Sequence, residues 1–410
     1  MKRSKPFLLL MLADFVARSA YQMGKTPLLP IFAAALGASG AFLGLIVSVS
    51  TVTGLFLKPL FGILSDRWGR RIWLLIGTAF FAFMPFLYRF VQTPEQLLAL
   101  RLAHGLATAI YGPVTLAYIA ELSRQQKTAE NIGWFQMARS GGYIVGPALA
   151  GWLLLSLDAV AVFTLIGIMS CAVFLPILHL PETRPSEGRV DSDPTRRKRK
   201  VGSFSARPPM IQHIKNALRD GGQSPAVWLT GGLEAVTFVA LYTLKAFLPL
   251  YALESGVSVV LVGLFFSLNE AAHVLGKPFC GRLGDRWGYL PAISLGMVVL
   301  AAALPLIRVL DQGLLFLLPA ALMGLAQALI FPAAIALVSD RISPEHLGAG
   351  MGLIGMMQNF GKVAGPVMGG LAIMALGYEA TLVCLSVMLA IGAASIWGFF
   401  APRKLINTSP

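Results

Sequence analysis

Nine ionisable side chains stand in stretches that offer almost no other polar group. Asp14, Glu234 and Glu270 are acids; Arg18, Lys25, Arg101, Arg139, Lys245 and Lys362 are bases. A charge kept in an apolar span is costly and marks a functional position by default. A carboxyl that passes between dry and wetted surroundings can load and release a proton. Glu270, near the middle of its apolar run, is therefore the first candidate proton carrier, followed by Asp14 and Glu234. The competing role for Glu270 is an ion pair with His273 or Lys362, and for Asp14 a pair with Arg18. At about 100° per residue, Asp14, Arg18, Tyr21 and Lys25 fall within one helical sector. Glu270, His273 and Lys277 share another face, and Gln136, Arg139 and Tyr143 a third. Lys58 and Lys277, each just before a proline, read as cytoplasmic-edge snorkellers, whereas Arg18, Tyr21, Lys25, Gln136, Arg139, Tyr143, Lys245, His273, Gln358 and Lys362 form the expected lining of a substrate cavity. Bases outnumber acids there, which leans toward anionic, zwitterionic or amphiphilic substrates over lipophilic cations.

The elements that must position these groups are long apolar helices. The chain has 410 residues, is 56% hydrophobic and only 13% charged. Soluble domains carry about 25% charged residues, so this chain lacks a water-facing surface. Runs long enough to cross a bilayer recur about twelve times, from 7–34 to 378–402. The net charge of +14 is not a nucleic-acid footprint, because it gathers in alternate loops: Lys2, Arg3 and Lys5; Arg67, Arg70 and Arg71; Arg124 and Lys127; Arg196–Lys200; Arg403 and Lys404. Cytoplasmic loops retain Lys and Arg, so a cell (inner) membrane location with both termini cytoplasmic is expected, with membrane lipids as neighbours. Cys171, Cys280 and Cys384 read as packing residues.

The chain repeats itself. "KPLFGILSDRWG" (58–69) matches "KPFCGRLGDRWG" (277–288), and Gly146-Pro147 matches Gly365-Pro366, each 219 residues on. Asp14 and Lys25 match Glu234 and Lys245, 220 residues on. The expected organisation is an N-terminal six-helix bundle (1–180), a polar basic linker (181–225) with a short surface helix near 209–219, and a C-terminal six-helix bundle (226–410). Parallel repeats of six spans are a transporter architecture, with the site between the halves near the bilayer midplane.

Three motifs resemble the major facilitator superfamily over nearly the whole chain. The repeated phrase, Gly62, Asp66, Arg67, Gly69, Arg70 and Arg71, is similar to the superfamily's loop signature between spans two and three. The resemblance implies a conformational latch in which Asp66 faces a helix start in the other half and holds the outward-open state. Gly281, Asp285, Arg286 and Gly288 form the second copy, but Tyr289 and Leu290 replace the paired arginines, so the latch is expected to be asymmetric. Gly62 and Gly69 are expected to permit the tight turn. Gly133, Gly142, Gly146, Pro147 and Gly151, echoed by Gly352, Gly361, Gly365, Pro366, Gly369 and Gly370, resemble the antiporter motif of the drug:proton antiporter branch, which implies export. Leu97-x3-Arg101-x2-His104-Gly105 resembles a proton-transfer motif in which His104 replaces the usual glutamine, and an imidazole can itself carry a proton. The alternative for Arg101 is an interfacial anchor.

"AYQMGKT" imitates a phosphate loop but lacks its first glycine and lies in a span. With no metal-ligand spacing and no nucleophile elbow, the sequence predicts no enzyme and no cofactor; a proton gradient is the energy source. The expected molecule is an all-α membrane protein of twelve transmembrane helices in two pseudo-symmetric six-helix bundles, a monomer exporting drugs or small amphiphilic metabolites by proton antiport. A lipid or lysolipid flippase, a proton-coupled uptake carrier and a non-transporting membrane sensor are the alternatives.

Overall fold

The computed structural model describes residues 4–123, 128–182, 224–310, 313–342 and 347–400. The basic segment 196–200, the surface helix expected near 209–219, and Lys2, Arg3, Arg124, Lys127, Arg403 and Lys404 lie outside them.

The described residues form only helices and turns. They are α1 (Lys5–Lys25), α2 (Leu28–Ala35), α3 (Gly40–Trp68), α4 (Arg70–Leu87), α5 (Pro94–Leu122), α6 (Thr128–Leu153), α7 (Ala159–Cys171), α8 (Phe174–Leu178), α9 (Pro225–Glu254), α10 (Val259–Trp287), α11 (Tyr289–Val309), α12 (Leu317–Arg341) and α13 (Leu347–Phe400). Among the described residues nine helices pass a length-and-hydropathy test for spanning a membrane. The difference from twelve has a physical reason. α1 carries Asp14, Arg18 and Lys25, α6 carries Glu130 and Arg139, and α13 is two helices joined at Gly377 (φ 82°, ψ 171°). The charges that lower the hydropathy of α1 and α6 are the candidate functional residues themselves.

The repeat is visible in the packing. α1 lies on α6 and α3 on α5; in the second half α9 lies on the first part of α13 and α10 on α12. A separate apolar core fills the second half, around Phe265, Leu300 and Phe316. Two more lie in the first, around Tyr111 and Phe135 and around Leu28 and Phe163, the latter reaching across the halves to Ala246 and Phe247 of α9. Large apolar side chains such as Phe56, Phe83, Leu275 and Leu371 point outward, as helices solvated by lipid require. Cys171 and Cys384 are exposed among them rather than packed, because their helix faces turn outward.

Between α3 and α4 the turn rests on Gly69 alone (φ 95°, ψ 153°), and between α10 and α11 on Gly288 (φ 97°, ψ 151°). Only glycine takes that conformation without strain. Gly62 and Gly281, the other glycines of the repeated phrase, are not in the turn. Each lies inside its helix, with no atom within 4 Å of an added Cβ.

Candidate functional site

Each half buries its own polar cluster. In the first, Asp14 on α1 has no exposed surface. Arg139 on α6 grips it through two bonds, Nε to Oδ2 and Nη2 to Oδ1, both 2.9 Å. Arg139 Nη2 also donates to Thr115 Oγ1 at 2.8 Å. Arg18 Nε lies 3.6 Å from Asp14 Oδ1, and its guanidinium sits over Tyr111 at 5.9 Å. Asp14 therefore joins α1 to α6 rather than only pairing along its own helix. A forked, buried pair of this kind fixes geometry.

A second cluster lies between α3, α4 and α5. Arg101 is 1% exposed, so it is not an interfacial anchor. Nη2 donates to Ser50 Oγ at 2.9 Å and Nη1 approaches the Tyr88 hydroxyl at 3.5 Å, which in turn meets His104 Nδ1 at 3.2 Å. Tyr21 sets its ring edge against His104 and Phe81. Lysine cannot reproduce this planar fork. Arg101→Lys is expected to lose one of the two contacts and about 1 kcal/mol of stability, read as a lower Tm by tryptophan fluorescence.

In the second half, Glu234 on α9 is 1% exposed and Oε2 accepts from Gln358 Nε2 at 2.6 Å. Its other oxygen has no partner. Lys362, one turn beyond Gln358, rests over the Phe238 ring at 4.3 Å. Glu270 on α10 faces His273 Nδ1 at 3.7 Å, and its side chain keeps 22% exposure. Lys362 makes no ion pair with it. Between the halves, Lys25 from α1 and Lys245 from α9 both approach the ring of Tyr242. Tyr143 is half-buried on α6. Gln136 is exposed and joins neither cluster.

Sequence reasoning missed Ser50, Tyr88, Thr115, Phe238 and Tyr242. Three of them had no local signal, since their partners are on other helices. Phe238, Tyr242 and Lys245 are spaced along one face of α9, a pattern readable in advance.

The glycine motifs position the helices that carry these groups. A Cβ at Gly142 would meet Arg18 and the α1 backbone at 2.8–3.0 Å; at Gly146 it would meet Ser19 O and Gln22 at 2.7 Å. At Gly361, Gly365 and Gly369 it would strike Ala235, Val239 and Thr243 of α9, and Thr243 Oγ1 donates to Gly365 O at 2.7 Å. Close contact along α1–α6 and α9–α13 sets the lateral position of Asp14, Arg139, Glu234 and Lys362. Gly151 and Gly370 do a different job, facing the other half at Val259 and Gly40. Gly133 and Gly352 touch nothing within 4 Å.

The same motifs close one end of the molecule. A Cβ on Gly44 would clash with the Pro366 carbonyl, and one on Gly263 with the Pro147 carbonyl. Gly44 and Gly263 are repeat partners, as are Pro147 and Pro366, so two equivalent crossings join α3 to α13 and α6 to α10. At the opposite end Asp285, Arg286 and Arg67 are exposed. Asp66 pairs with Arg70 of its own half. Arg70 also donates to Glu121 Oε1 through Nε (3.1 Å) and Nη2 (3.0 Å) and to Ser65 Oγ (2.6 Å). The backbone N–H of Arg71 donates to Glu182 Oε1 at 3.1 Å. Among the described residues, Asp66 pairs with no side chain of the other half.

The sequence model of the Major Facilitator Superfamily matches residues 10–268 and 230–409. The chain belongs to that superfamily. Its similarity extends to the multidrug resistance protein 1 of Bacillus subtilis (strain 168), 25% identical over 382 residues and covering 92% of each chain. A multi-drug resistance efflux pump PmrA homolog of Lactococcus lactis subsp. lactis (strain IL1403) is 25% identical over 397 residues, covering 93% of this chain and 91% of that one. The crystal structure of the nucleoside transporter NupG superposes with a TM-score of 0.80 at 15% identity, covering 96% and 99% of the two chains. The superfamily fold accounts for the two six-helix bundles and for the repeated elbows at Gly69 and Gly288. This superfamily member is thus a multi-pass membrane transporter.

Proposed function

We propose that the chain exports drugs or small amphiphilic metabolites across the cell membrane in exchange for protons. The observation that carries this reading is the one-sided closure. The halves meet through the Gly44–Pro366 and Gly263–Pro147 crossings at one end, while among the described residues the elbow glycines at the other end make no such contact. A carrier that seals one end at a time exposes a midplane site alternately to the two sides. The basic elbow residues Arg67, Arg70 and Arg71 assign the open end to the cytoplasm, which makes this the inward-open state. Similarity to multidrug efflux relatives favours export.

Glu270 is the proton carrier in this reading. Asp14 is sealed and gripped by Arg139, whereas Glu270 keeps exposed surface, has His273 as its nearest partner and has Lys245 and Lys277 further off. A carboxyl must meet water to exchange its proton. On the side of high proton concentration Glu270 takes up one proton and substrate leaves; on the other side the proton departs and substrate enters.

Everted membrane vesicles with a respiration-acidified interior test this. Adding a transported compound should restore the fluorescence of a pH-sensitive dye in wild type and not in Glu270→Gln, with equal protein in the membrane. Recovery that persists in Glu270→Gln moves the role to Glu234. Absence of recovery for cationic, anionic, zwitterionic and lysolipid compounds alike would overturn antiport.

A further inference from the structure

Three ammonium groups meet where the halves face each other. Lys25 Nζ lies 5.5 Å from the centroid of the Tyr242 ring and Lys245 Nζ 5.1 Å from the same ring. Lys25 also lies 5.8 Å from the Tyr21 ring. Lys362 Nζ is 4.3 Å from the Phe238 ring, which sets its edge against Tyr242 at 5.9 Å and stacks on Phe331 at 4.9 Å. Among the described residues, no carboxylate oxygen comes within 4.0 Å of any of these lysines. The acids nearby have closer partners, Asp14 in Arg139, Glu234 in Gln358 and Glu270 in His273, and the two glutamates reach the lysines only at longer range.

An aromatic face holds an ammonium by about 0.5–2 kcal/mol without cancelling its charge. The aromatic contacts position the lysines without neutralising them, and beyond ion-pair distance Glu270 attracts Lys245 and Glu234 attracts Lys362, which leaves three cations facing two acids. Lys25 and Lys245 are also repeat partners, one from each half, so they approach the pseudo-twofold axis from opposite sides. Their mutual repulsion opposes bringing the halves together. A single anionic group between them would remove that repulsion, so binding would favour closure around the ligand. Once the ammonium groups swing onto the anion, the faces of Tyr242 and Phe238 are left for a flat apolar body. A cationic ligand would instead enter beside three like charges.

Deepening the transporter reading, on which it rests, we propose that the central site takes an organic anion. Its sulfonate, phosphate or carboxylate group sits between Lys25 and Lys245, and its apolar body lies against Phe238 and Tyr242 with Lys362 alongside.

Two flat bicyclic probes of fixed and opposite charge test it: naphthalene-2-sulfonate and N-methylquinolinium. Each is titrated calorimetrically into the full chain in lipid nanodiscs, against empty nanodiscs. Wild type should bind the sulfonate at least about tenfold more tightly than the quinolinium, a difference of about 1.4 kcal/mol. Lys25→Gln and Lys245→Gln should each weaken the sulfonate about tenfold or more, while Lys25→Arg and Lys245→Arg keep most of the affinity. Equal or tighter binding of the quinolinium, no sulfonate binding by wild type, or unchanged sulfonate binding in both glutamine variants would overturn the proposal. Proton release in everted vesicles separates the two readings. Quinolinium-driven release that Glu270→Gln abolishes would keep antiport and discard the anion site. Lysine-dependent sulfonate binding without proton release would keep the anion site and discard antiport.

Discussion

Alanine at Gly44 or Gly263 is expected to force the sealed end apart. The added carbon at Gly44 would lie inside contact distance of the Pro366 carbonyl and of the next peptide nitrogen, and at Gly263 against the Pro147 carbonyl. These are backbone atoms, so no side chain can rotate away. Overpacking costs about 1–3 kcal/mol, and about 1.4 kcal/mol shifts a two-state population tenfold. The cost falls only on the state in which the crossing exists, because each of the nearest atoms met by the added carbon belongs to the other half. The variants should therefore fold normally yet populate the opposite conformation about tenfold more or beyond. Spin labels at Ser156 and Ser258, in the loops beside the α6–α10 crossing, would report it as a longer distance in Gly263→Ala. Gly133→Ala supplies the control, since its added carbon meets nothing. An unchanged distance distribution in Gly263→Ala would mean that the crossing does not hold the seal.

Asp14→Ala should destabilise the first bundle by about 3–5 kcal/mol, the cost of stripping one partner from a buried ion pair. Asp14 has no exposed surface and both its oxygens serve Arg139. Without it, Arg139 keeps Thr115 and the Phe135 ring, and Arg18 loses the acid it pairs with. Arg139→Met added to Asp14→Ala should recover part of the loss, because it removes one of the stranded charges. Thermal unfolding followed by tryptophan fluorescence, for both single variants and the double, closes the cycle. A fall of less than about 1 kcal/mol in Asp14→Ala would show that water reaches the cluster and that Asp14 is free to exchange protons. That outcome would bring it back as a coupling residue.

Fold and pairing were legible in the sequence to different depths. The repeat needed no structure: "KPLFGILSDRWG" and "KPFCGRLGDRWG" announce two halves, and the packing repeats accordingly. Spans were legible where helices are uniformly apolar, and less so in α1 and α6, where function places charge. Local pairs such as Glu270 with His273 follow from helical spacing. Asp14 shows the limit. Its i+4 neighbour Arg18 is visible in the sequence, yet the closer partner is Arg139, 125 residues away on another helix. Nothing along the chain encodes that choice; it depends on Gly142 and Gly146 letting α6 lie directly on α1. For the same reason Pro147 and Pro366 were recognisable as motif residues but not as half of a seal, and their partners Gly44 and Gly263 gave no signal along the chain. Gly62 was misplaced because helix α3 runs on to Trp68, leaving Gly69 to make the turn.

The two elbows differ in how they are fastened. Arg70 braces the first against Ser65, Asp66 and Glu121, and Arg71 ties it to Glu182; the second has Tyr289 and Leu290 at those positions. Among the described residues the first joint is pinned by those side chains, and the second lacks the two arginine pins. If the halves rock as proposed, deformation is expected to collect around Gly288 and the first bundle to travel as a stiff lever.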